Sequence, residues 1–230
     1  MPLPKDTLAR ISLFQALDRQ ALQQLEAACT WRRVAAEEWV VDAEAQDTDV
    51  FFVLSGHVRV VVSLAGRETI LRDIRAGEFF GELAALDRKP RSAGIVAATA
   101  SVLACMPAAI FRRAIHEHAA VCDEVLAVLV GQIRMLANRA NENSSFSMKH
   151  RLWAELLRLA RPAAATPKVA IVSPPPTHGE LAARISSHRE AVTRELGALE
   201  RADLIERRRG AIVLLDPDRL RGMVEDAAEQ

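Results

Sequence analysis

Cysteine is scarce in this chain. Its three cysteines, Cys29, Cys105 and Cys122, lie far apart, with no CxxC pair and no N-terminal cluster. That argues against a disulfide framework, a zinc site and an iron–sulfur centre, and leaves buried, reduced thiols as the expectation. No apolar run approaches the length that spans a bilayer. The opening Met-Pro-Leu-Pro-Lys-Asp has no hydrophobic signal segment, so a cytoplasmic protein with no membrane partner is expected. No stretch repeats at a solenoid period. Residues 31–106 contain a single histidine, His57, too few for the His/Glu cluster of a barrel metalloenzyme. No catalytic residue and no metal ligand is assigned. For a haem, His57, His116, His118 and Cys105 qualify by residue type alone.

Net charge is absent as well, with 30 Lys+Arg against 30 Asp+Glu. The balance is uneven along the chain. Residues 1–145 hold 16 basic and 18 acidic side chains, residues 146–210 hold 12 and 7, and the last twenty hold 2 and 5. The basic excess is therefore local, and local charge is what meets a phosphate backbone.

Apolar residues make up 50% of the 230, enough to build a core in one large or two modest domains. A short helical opening (Ile11, Leu13, Phe14, Leu17, Leu22, Leu25) precedes a series of small β-branched and aromatic pieces. These are Trp39–Val41, Val50–Leu54, Val58–Val62, Thr69–Leu71, Phe79–Phe80, Ile95–Ala98 and Val102–Met106. Many short strands at close spacing predict a small β-barrel or jelly roll, with Ser55-Gly56 and Ala65-Gly66 as turns needing positive φ. From about residue 110 the period changes. Cys122, Leu126, Leu129, Ile133, Leu136, Ala140 and Asn143 alternate spacings of four and three, an a/d seam that predicts a long helix in a parallel homodimer. Asn138–Ser145 then breaks the apolar pattern and is the expected hinge.

The densest chemistry lies in residues 77–93. A Gly81-Glu82-Leu83 step is followed, after a small apolar turn, by Arg91-Ser92-Ala93. Glycine lets a backbone approach a ligand closely. A carboxylate accepts from ribose hydroxyls, and an arginine fork with a neighbouring hydroxyl suits a phosphate. Together they are the parts needed to hold one phosphorylated ribose.

A second signature follows a helix (Leu152, Trp153, Leu156, Leu157, Leu159, Ala160) that ends at Arg161-Pro162. The Ala/Pro-rich stretch up to Pro174-Pro175-Pro176 is not helical throughout. Thr177 and Glu180 fit a capping box, Leu181, Ala182 and Ile185 give a short buried face, and Ser186-Ser187-His188 can turn the chain. On the next helix Val192, Leu196 and Leu199 point inward, leaving Arg189, Glu190, Thr193 and Arg194 outward. Two short helices with a tight turn, the second presenting arginines and a glutamate, describe a helix-turn-helix that reads the DNA major groove. Glu206-Arg207-Arg208-Arg209-Gly210 followed by Ala211–Leu215 reads as a basic β-hairpin wing.

With these two signatures in this order, the chain resembles the Crp–Fnr family of bacterial transcription regulators over nearly its whole length. The resemblance implies an α+β architecture: a cyclic-nucleotide-binding β-barrel or jelly roll (1–110), a long dimerisation helix with its hinge (111–145), and a C-terminal winged helix-turn-helix (146–230). It implies a cyclic nucleotide effector, cAMP before cGMP, with no covalent cofactor. Glu82 would hold the ribose, and Arg91 and Ser92 the cyclic phosphate, with Gly81, Leu83 and Ala93 completing the site. Arg189, Glu190 and Arg194 would read a TGTGA-like half-site in double-stranded DNA, with Thr177, His188, Thr193 and Arg208 as further contacts. RNA polymerase is the implied partner at promoters.

The sequence departs from the family where the ligand's base is recognised. The Thr-Ser pair of cAMP-responsive members falls on Leu136-Ala137, which offer no side-chain donor or acceptor. Asn138, Arg139 or Arg134 could stand in on a rotated helix. The family's turn glycines are replaced around Glu37-Glu38 and Asp47, Ser186 stands where glycine is common, and His188 stands where serine often caps. The competing reading keeps the DNA role and gives the barrel another small ligand, or none.

Overall fold

The run Val50-Phe51-Phe52-Val53 has no polar alternation, which suits a strand buried on both faces. In the computed structural model, which describes residues 8–64, 67–163 and 166–228, all four residues are buried. The chain divides into two compact units, residues 1–133 and 134–230.

The first unit carries strands β1 (Thr30–Val34), β2 (Trp39–Val41), β3 (Val50–Ser55), β4 (His57–Leu64), β5 (Arg67–Arg75), β6 (Phe79–Phe80), β7 (Gly94–Ala97) and β8 (Ser101–Met106). Among the described residues they form two antiparallel sheets, ordered β1-β8-β3-β6 and β2-β7-β4-β5. Phe51 and Val53 face a core shared by both sheets with Val58, Ile74, Phe80, Ile95 and Leu103. Phe51 stacks on Phe80 with ring centroids 5.0 Å apart. The alternate residues Val50 and Phe52 join Phe79, Ala104 and Met106 in a second core, covered by Phe14, Leu25, Phe111, Val121 and Val125. Those covering side chains come from the N-terminal segment with helix α1 (Arg19–Ala27), from α3 (Ala108–Glu117) and from α4 (Ala119–Ser145). A short α2 (Glu82–Asp87) follows β6.

Several elements differ from expectation. The strand β1 was not foreseen because Arg32 and Arg33 interrupt its apolar character; it is fixed by pairing with β8, from Thr30 opposite Cys105 to Val34 opposite Ser101. Thr69–Leu71 is only the middle of β5, whose charged ends pair with β4 as far as Arg75 opposite His57. Gly56 has φ +79°, and a Cβ there would stand 2.3 Å from Ser101 Oγ; Ala65-Gly66 lies outside the described residues. The missing turn glycines are met by left-handed backbone at Glu37 and Glu44, both with φ 65°, and not at Asp47.

Helix α4 corrects two further expectations. Val121 and Val125 are buried, and Val128 and Leu129 pack half-buried on the same core. Leu129 therefore leaves the seam, and the exposed apolar stripe is Leu126, Val130, Ile133 and Leu136, with Ile133 66% exposed. Asn138–Ser145 is no break: α4 stays helical through Ser145. Ion pairs with the following helix offset the weak helix propensity of its asparagines.

The second unit contains α5 (Met148–Leu159), β9 (Arg161–Ala163), β10 (Thr166–Val172), α6 (His178–Arg184), α7 (Arg189–Arg201), β11 (Ile205–Arg208), β12 (Ala211–Leu214) and α8 (Pro217–Ala228). Its sheet runs β11-β12-β10-β9. Leu152, Leu156, Leu181, Val192, Leu196, Leu199 and Leu220 close one core. Inside this unit Glu155 is only 1% exposed. Its carboxylate meets Arg139 of α4 and Arg184 of α6 at 3.5 Å each and also pairs with Arg158. Arg158 in turn donates to both oxygens of Glu142, at 2.7 and 3.0 Å. One buried acid thus ties the end of α4 to α5 and α6. Glu155→Ala should cost about 3–5 kcal/mol, because it strands buried guanidinium groups without their counter-charge. Chemical denaturation followed by circular dichroism measures this; a loss below about 1 kcal/mol would mean that the arginines find other partners.

Candidate functional site

Arg91 follows α2 in an irregular segment and is 5% exposed; Glu82, at the first turn of α2, is 4% exposed. The Arg91 backbone is pinned to the β2–β3 connection: its N–H donates to Ala45 O at 2.9 Å, and its carbonyl accepts from Glu44 N at 3.1 Å. The guanidinium lies over the Phe51 ring, 5.6 Å from its centroid. Nη1 donates to Gly81 O at 3.2 Å, and Nη2 donates to Asp49 O at 2.8 Å and to the Asp47 carboxylate. Nε is buried and has no partner. Gly81 makes the approach possible, since at φ +88° a Cβ would stand 2.5 Å from Arg91 Nη1 and 2.7 Å from Asp49 O. Burial, and then the neighbouring Asp47, holds the Asp49 carboxyl above its ordinary value, against the pull of Arg91.

Glu82 Oε1 accepts from Gln132 Nε2 of α4 at 3.0 Å. Arg112 Nη1 of α3 donates to Ala85 O at 2.6 Å and fixes α2 from behind. Ser92 is exposed and Ala93 half-buried beside Arg91, and Leu83 is exposed on α2. The structure sets Arg91 against the Gly81 carbonyl, one residue before Glu82. It adds Asp47, Asp49, Phe51 and Gln132, which sequence reasoning missed. Leu136 and Ala137, on which the sequence comparison set the family's Thr-Ser pair, are exposed. Arg139 is engaged with Glu155 and is not available to replace the missing polar pair.

In the second unit the Thr177 side chain caps α6, accepting from Glu180 N at 3.2 Å, while Thr177 N donates to Glu180 Oε2 at 2.6 Å. Ser186 takes the left-handed turn at φ 51°. His188 occupies the N-cap of α7 but makes no side-chain cap bond. Val192, Leu196 and Leu199 are buried, and Arg189, Glu190, Thr193 and Arg194 are exposed on the opposite face. Trp153 Nε1 donates to Glu195 Oε1 at 2.8 Å and fixes the roll of α7 on α5. Among the described residues Arg189, Glu190 and Arg194 make no ion pair, so that face keeps its donors and acceptors unpaired by other charges. The wing is less free. Arg207 is bound by Glu200 and Arg208 by Glu206, which leaves Arg209 at the tip without an ion pair among the described residues. His178, which sequence reasoning passed over, shares a 2.7 Å hydrogen bond with Thr193 Oγ1 across the two helices.

Comparison with known proteins agrees with this division. The model of the cyclic nucleotide-binding domain matches residues 31–118, and that of the Crp-like helix-turn-helix domain matches residues 150–223. Transcriptional regulator SdrP of Thermus thermophilus is 33% identical over 178 residues, 77% of this chain and 84% of that protein. The CRP-like cAMP-activated global transcriptional regulator of Mycobacterium tuberculosis is 24% identical over 222 residues, 94% of this chain and 97% of its own. Among solved structures, a CooA mutant from Carboxydothermus hydrogenoformans shares the fold with a TM-score of 0.79 at 17% identity, over 97% of this chain and 98% of that one.

Two histidines give the second unit a pH dependence. Burial first, and then Arg207 and Arg189, lower His178 from its ordinary 6.5; burial and Lys149 lower His150, against Glu195. A depressed histidine takes up its proton in the unfolded chain before the folded one. Its contribution is therefore complete above the unfolded value and is lost as pH falls through 6.5 towards the folded value. Melting temperature should drop between about pH 7.5 and about pH 5, and His150→Gln/His178→Gln should lose less over the same window. Parallel curves for parent and variant would remove the histidines as the cause.

Proposed function

The chain belongs to the Crp-like transcriptional regulators that join a cyclic nucleotide-binding domain to a helix-turn-helix, and on that premise we propose a ligand-gated homodimer that binds a cyclic nucleotide in its barrel and an inverted-repeat site on DNA. The observation that carries the ligand half is Arg91: a buried guanidinium whose Nε has no partner, bonded to the carbonyl of Gly81, the residue before the buried Glu82. Buried polar groups are almost always satisfied, so an Nε left over is capacity for an anion oxygen. Glu82, held by Gln132 through one oxygen, keeps the other for a ribose hydroxyl. These residues fit a cyclic nucleotide: Arg91 and Ser92 at the phosphate, Glu82 at the ribose, and Gly81, Leu83 and Ala93 around them. cAMP is preferred to cGMP because the similar regulator of Mycobacterium tuberculosis is described as cAMP-activated.

The exposed stripe Leu126, Val130, Ile133, Leu136 supports a dimer through α4, since a seam of this kind is stable only when covered. Residues 1–110 then act as sensor, 111–145 as the dimerisation helix, and 146–230 as the DNA-binding part. The regulator works in the cytoplasm with RNA polymerase as its promoter partner, as the family implies. A second reading, in which the barrel takes another small ligand or none, is favoured by Leu136-Ala137, which leave a base without a polar partner.

Calorimetric titration against cAMP and cGMP tests the ligand. The parent should bind one of them, and Arg91→Ala should lose binding, since a phosphate without its charged partner forfeits about 2–5 kcal/mol. No heat with either nucleotide would favour the second reading. Because Leu129 packs inward, Leu126→Glu/Ile133→Glu is the variant that should sediment as a monomer; a dimer would place the interface elsewhere.

Selection from random duplexes tests the reading helix. The parent should select a palindrome with half-site centres about one helical turn, roughly 34 Å, apart. Arg194→Ala should cost about 1–3 kcal/mol on that site and relax one position, whereas Arg209→Ala should weaken all sequences alike and flatten the salt slope. An Arg194→Ala variant that selects as strictly as the parent would count against α7 as the reader.

A further inference from the structure

The guanidinium that the ligand needs is already held by a carboxylate. Asp47 lies in the connection between β2 and β3, outside the 77–93 segment, and its Oδ2 accepts from Arg91 Nη2. The two partners differ sharply in burial: the Arg91 side chain is 3% exposed and that of Asp47 is 48% exposed. A buried guanidinium has to keep a counter-charge or hydrogen-bond partner, whereas a half-exposed carboxylate can turn into water at small cost. The pair is thus a fixed cation and a releasable anion.

The planar guanidinium offers two-pronged edges to a phosphate. One edge consists of Nε and Nη2. Nε is the atom without a partner, and Nη2 is the atom that Asp47 holds. The other edge, Nη1 with Nη2, is already turned to the carbonyls of Gly81 and Asp49. A phosphate taking Arg91 by two oxygens therefore meets Asp47 at Nη2. It also meets charges of its own sign, since Asp47 and Asp49 both lie beside this one arginine.

We infer that Asp47 is an internal competitor for Arg91, so that a phosphorylated ligand binds by exchanging its phosphate for the Asp47 carboxylate. Asp47 then sets the affinity of the pocket, and its half-exposed side chain is the group that turns into water when ligand enters. The inference rests on the cyclic-nucleotide reading for the identity of the ligand; the exchange itself applies to any phosphate that reaches Arg91.

The test titrates the parent, Asp47→Asn, Asp47→Ala and Arg91→Ala with cAMP, cGMP and inorganic phosphate, by calorimetry and by shift of melting temperature. Removing the competing charge should tighten nucleotide binding about tenfold or more, equivalent to about 1.4 kcal/mol. Either Asp47 variant should also gain more melting temperature from phosphate than the parent does, and Arg91→Ala should gain none. If nucleotides fail in every protein but phosphate still separates the Asp47 variants from the parent, the exchange stands and the nucleotide reading falls. If nucleotide binds the parent and an Asp47 variant equally, or the variant more weakly, Asp47 orients Arg91 and the exchange is overturned while the nucleotide reading survives. If no anion affects any of the proteins, both fall. Should both Asp47 variants misfold, backbone amide resonances of residues 42–49 in the parent decide: they should move on titration with nucleotide or phosphate, and fixed resonances at saturation would overturn the exchange.

Discussion

A positive charge inside a β-sandwich is the constraint around which the first unit is arranged. The Arg91 guanidinium cannot be hydrated where it sits, so the chain has to surround it with acceptors. Two backbone carbonyls, one carboxylate and the Phe51 face perform that role. Each requirement reaches back to a particular residue. Gly81 must lack a Cβ and take positive φ so that the guanidinium can pass beside it. The β2–β3 connection must follow the Arg91 backbone closely enough to exchange two hydrogen bonds with it. Phe51 must stand on the inner face of β3, which the period of the strand provides while Phe52 fills the outer core.

The second unit buries a charge of the opposite sign with a different outcome. Glu155 is enclosed by Arg139, Arg158 and Arg184, with Glu142 balancing Arg158 from outside. Cations outnumber acids around it, the cluster is internal, and its effect is to hold helices α4, α5 and α6 in one arrangement. Around Arg91 the count is reversed, one cation beside the two carboxylates Asp47 and Asp49, and Asp47 is half-exposed. A buried charge fully enclosed by opposite charges acts as structure. One paired through a releasable partner, with a donor to spare, is suited to a ligand.

How much of this was legible in the sequence follows from the distance between partners. The Gly81-Glu82 and Arg91-Ser92 steps stand close together, and residue type alone announces their chemistry. The capping box of Thr177 and Glu180 and the inward set Val192, Leu196, Leu199 are equally local, and the structure keeps them. Asp47 and Gln132 were not legible: they reach Arg91 and Glu82 from 44 and 50 residues away, and nothing in their neighbours marks them. Leu129 was misplaced because a heptad seam and a core-facing stripe share positions until a packing partner decides between them. The hinge expected at Asn138–Ser145 rested on the loss of the apolar pattern, and Arg158 on α5, which no local pattern announces, holds Glu142 within that helix.

Helix α4 is where these local decisions combine. Within twenty residues it places Val121 and Val125 in the core of the first unit, Gln132 on the Glu82 carboxylate, an apolar stripe in the open, and Arg139 on Glu155. Its faces are thus committed to four different tasks, and a rotation of the helix would serve one at the expense of another. On the proposed reading, a ligand hydroxyl on the second oxygen of Glu82 would share that carboxylate with the Gln132 amide of α4. Coupling between sites requires two states in which the ligand makes different contacts. On the proposed reading, Glu82 held by Gln132 alone and Glu82 shared with a ribose would be two such states.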